Sequence, residues 1–83
     1  MRTKLLDQSK ANYFKYEMQD LLKNSPVAPE LHNSLIQTLW AKGSRDEVLA
    51  AKLFLQEKLK EKSVDEGTAR RIQAILDKYT TWR

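Results

Sequence analysis

Two tetrapeptides and one histidine are the residues whose types and spacing invite chemistry. Ser44-Arg45-Asp46-Glu47 and Ser63-Val64-Asp65-Glu66 each place a hydroxyl three positions before a carboxylate, and His32 is the only histidine in the chain. A serine, an imidazole and an acid are the parts of an activated nucleophile. The spacing, however, is also that of the capping box, in which a Ser hydroxyl and a Glu carboxylate satisfy orphaned N–H groups at a helix start. Acidic pairs such as Asp46-Glu47 and Asp65-Glu66 suit a first turn, where the helix dipole favours negative charge. Capping therefore accounts for both serines and both acidic pairs. The resemblance between the two segments ends beyond the cap, so it is shared capping chemistry and not an internal repeat.

His32 as a metal ligand or base has no support around it. No cysteine and no second histidine exist, and Glu30, two residues away, falls on another side of a helix. Zinc requires three or four ligands dominated by N and S donors, so no metal is expected, and His32 reads as a boundary histidine near a helix start. No Gly-rich loop is present to cradle a phosphate. Neither an enzyme nor a cofactor is expected.

The elements that position these residues follow from the punctuation, which is concentrated at Asn24–Pro29, Lys42-Gly43-Ser44 and Lys62-Ser63. Pro29 fits the first turn of a helix and Gly43 the position just past its end. The pattern predicts a compact all-α bundle of four helices in one small domain, with helices at about 4–23, 29–42, 45–62 and 64–79. Alternating β-branched residues are too few to predict strands.

The faces of these helices differ. On the fourth, Val64, Thr68, Ile72, Ile75, Leu76 and Tyr79 fall on one side, and Arg70, Arg71 and Lys78 lie opposite. On the second, Leu31, Leu35, Ile36, Leu39 and Trp40 form a broad arc that includes His32. The third is apolar nearly all round from Val48 to Leu55, with Lys52 its sole charge there. That predicts a central helix enclosed by the other three, or one partly packed against another chain. The first carries a core arc of Ala11, Phe14, Met18, Leu21 and Leu22, and a second arc of Leu5, Leu6, Tyr13 and Tyr16. Trp82 is expected either to close the end of the core or to serve as a docking tip.

With 41% hydrophobic and 31% charged residues, the composition is that of a compact soluble chain. No apolar run approaches a membrane span and no apolar leader is read, so a cytoplasmic protein is expected. The net charge of +4 divides as +2, 0, +1 and +1 over residues 1–24, 25–43, 44–62 and 63–83, without a basic arm or an acidic tail. A helix–turn–helix through Gly43 fails, because its reading helix would open on Asp46 and Glu47 and then turn apolar.

The expected function is a non-enzymatic protein–protein interaction or regulatory module, self-association into a homodimer included. Leu5, Leu6, Tyr13, Tyr16 and Trp82 are its docking residues. The alternative is a nucleic-acid-binding or nucleoprotein accessory domain using Arg70, Arg71, Lys78 and Arg83. No membrane and no small-molecule ligand are expected as partners.

Overall fold

The computed structural model describes residues 4–82, without the Trp82 side chain. Four 13-residue helices, α1 (Ala11–Lys23), α2 (Pro29–Ala41), α3 (Val48–Lys60) and α4 (Glu66–Lys78), form the bundle. A strand at each end of the chain, β1 (Lys4–Leu6) and β2 (Thr80–Trp82), pairs antiparallel in the register Lys4–Trp82, Leu5–Thr81 and Leu6–Thr80. Helix α1 packs on α2 and α4, and α3 packs on α2 and α4. Thus α1 and α3 occupy opposite corners of a ring of four. The architecture is the all-α bundle that the periodicity predicts, with a small clasp added.

The clasp corrects the expected start of the first helix. Residues 4–6 are strand, and Asp7 then accepts a hydrogen bond from the Ser9 N–H (3.0 Å) and caps a short 3₁₀ turn at Gln8–Lys10. The Asp7 N–H extends the ladder to the Tyr79 carbonyl at 2.8 Å. A three-residue strand has little local preference, so its existence depends on the partner that the bundle brings to it.

Both predicted capping boxes are also corrected. Helix α3 starts later than expected, at Val48, behind Glu47, and no side chain caps it. The Ser44 hydroxyl donates to the Trp40 carbonyl at 2.6 Å and belongs to a π-helical turn, Lys42–Asp46, that continues α2. At α4 the cap is Asp65, whose carboxylate accepts from the Thr68 N–H at 3.2 Å, and not Ser63. Asp65 is the extended residue directly before the first turn of α4, and its charge also complements the helix dipole.

Gly43 has no left-handed backbone and is not a helix terminator. It is buried, and a Cβ there would stand 2.5 Å from Leu6 Cδ1 and 2.8 Å from Leu6 Cγ. The glycine is thus a seat for Leu6, which is fully buried. The left-handed position lies instead at Lys62 (φ 65°). There the Ser63 N–H reaches the Lys58 carbonyl (3.0 Å) and the Lys62 N–H the Leu59 carbonyl (3.1 Å), the two bonds of a Schellman ending.

The core runs through all four helices. Phe14, Met18 and Leu22 come from α1, Leu35, Ile36 and Leu39 from α2, Val48, Ala51 and Leu55 from α3, and Thr68, Ala69, Ile72 and Leu76 from α4. Phe14 is the aromatic hinge of the set: its ring lies 5.3 Å from Trp40 and 6.2 Å, edge-on, from Tyr79.

Two outcomes follow for stability. Gly43→Ala is expected to cost about 1–3 kcal/mol in urea unfolding, because Leu6 cannot retreat from a packed site. Lys62→Gly is expected to raise stability by about 0.5–1 kcal/mol, by relieving the left-handed lysine.

Candidate functional site

The docking residues expected on the first helix do not form one surface. Leu6 is in the core and Leu5 is a half-buried strand residue. The arc they were to share with Tyr13 and Tyr16 would exist only if residues 4–10 were α-helical. Tyr13 and Tyr16 remain, 61% and 72% exposed, on the outside of α1. The Lys10 ammonium sits 5.5 Å from the Tyr13 ring centre. The Trp82 side chain and Arg83 lie outside the described residues.

Helix α3 departs most from expectation. It is not enclosed, because a corner helix has two neighbours and leaves its outer arc in water. Val48, Ala51 and Leu55 face the core, while Leu49 and Leu53, one turn apart, are 60% and 58% exposed. The signal was present as a stripe of Leu49, Leu53, Gln56 and Lys60, whose apolar half is lost among the core leucines when the whole segment is read as central.

The surroundings of this stripe are electrostatically settled on both flanks. Towards α4, Lys52 pairs with Asp77 at 2.7 Å. Farther along, Lys58 pairs with Glu61 at 3.2 Å. The Phe54 ring has two ammonium neighbours, Lys42 at 5.9 Å and Lys58 at 5.3 Å. A small groove of about 140 Å³ between α2 and α3 is floored by Leu31, Leu35 and Phe54. A larger, open one of about 430 Å³ lies at the end of the bundle away from the clasp, between Pro26, Val27, Leu59 and Val64.

The expected basic face is divided. Arg70 borders a groove shared with Gln56 and Leu59 of α3, whereas Arg71 borders one shared with Asn24 and Ser25 beyond α1. The two arginines therefore point to opposite flanks of α4. Lys78 donates to Glu17 Oε1 at 2.5 Å, and the Tyr79 hydroxyl donates to the same oxygen. Asp77, the neighbour of Lys78 in the chain, is taken by Lys52 of α3.

The Lys78 and Tyr79 hydrogen bonds hold the Glu17 carboxyl below its usual range. The same contacts with Glu17 raise both Lys78 and Tyr79. Hydrogen bonding from Thr68 likewise lowers Asp65. These shifts have structural causes, the end of α4 being tied to the middle of α1 and a helix being capped.

His32 is half-buried, its Nε2 3.0 Å from the Val27 carbonyl. Among the described residues no group of His, Cys, Asp or Glu is placed to hold a metal ion. No buried side-chain nitrogen or oxygen among them lacks a hydrogen-bond partner. Nor is any helix among them long and apolar enough to cross a membrane. No protein-family model, curated protein or solved structure matches the chain.

The Glu17 cluster gives a pH signature. A lowered carboxyl stabilises the fold at pH values above the ordinary carboxylate range, and that contribution fades as pH falls through the lowered value. Raised Lys78 and Tyr79 act in the opposite sense, their contribution being lost as pH climbs through their raised values. Wild type is thus expected to exceed Glu17→Gln in urea midpoint between about pH 5 and pH 9. The gap should shrink towards pH 3 and again towards pH 11.

Proposed function

We propose that this chain is a non-enzymatic protein-interaction module that docks through the open face of α3. One observation carries the reading. Every other Leu, Ile and Val among the described residues is buried or half-buried, yet Leu49 and Leu53 stand together in water. In a chain of this size apolar side chains are needed inside, and two adjacent ones left outside mark a surface that a partner covers. Covering them would contribute about 1–2 kcal/mol each. Tyr13 and Tyr16, at the opposite corner, form a separate and more polar surface suited to the rim of a contact.

The mechanism is burial without chemistry. The partner's apolar side chains meet Leu49 and Leu53, while Lys52 and Lys58 are already held by acids of their own chain. Little charge then has to be stripped of water at the centre of the contact.

A photoreactive residue introduced at position 53 tests this. It is expected to form a protein adduct, with this chain or another, that the same residue at position 23 does not form and that Leu49→Lys abolishes. Equal adducts from positions 53 and 23, or none from either, would remove the assignment.

A further inference from the structure

We draw no further inference here: the strongest candidate beyond the stripe already described, the groove of about 140 Å³ between α2 and α3 floored by Leu31, Leu35 and Phe54, has its one charged lining residue, Lys58, already held by Glu61, and nothing in the structure shows what covers it.

Discussion

Leu6 seated on Gly43 is the contact that ties the two ends of the chain to the middle. The leucine comes from a three-residue strand, the glycine from the π-helical turn that joins α2 to α3, and no side chain fits between them. Once Leu6 is down, β1 is fixed along that turn and against the start of α3. The C-terminal strand then has a partner, and the Asp7 N–H meets the Tyr79 carbonyl. A bundle of four short helices would otherwise have an open end, and a short helix frays without tertiary support.

The same arrangement explains why α3 is open. In a ring of four, each helix buries the arc between its two neighbours, and the clasp adds cover only at one end. Val48, Ala51 and Leu55 fill that arc. Leu49 and Leu53 lie outside that arc and stand in water. The apolar surplus of α3 is therefore a consequence of geometry, and it is localised to one stripe.

Electrostatics divides the surface in a complementary way. Lys52–Asp77 joins α3 to α4, Lys78–Glu17 joins α4 to α1, and Lys58–Glu61 lies within the end of α3. Exposed pairs of this kind contribute little to stability. They do decide which charges are held, and that is why the expected basic face of α4 is dispersed, Lys78 being taken by Glu17 and Asp77 by Lys52. Charge counts along a sequence do not contain that information, since the partners that join α3 to α4 and α4 to α1 are tens of residues apart.

The sequence by itself determined the number and order of the helices, because apolar spacing and the residues at Pro29 and Lys62-Ser63 are local signals. It also determined which side of α2 and α4 is buried, and the absence of thiol chemistry. Only tertiary structure decided that residues 4–6 and 80–82 are strands, that Asp65 and not Ser63 caps α4, and that Gly43 serves as a seat. It also decided which leucines of α3 face water. Each of those outcomes depends on a neighbour distant in sequence or on the residue at which the backbone turns into the helix. Periodicity cannot see either, since it reports how a segment could fold and not what will stand beside it.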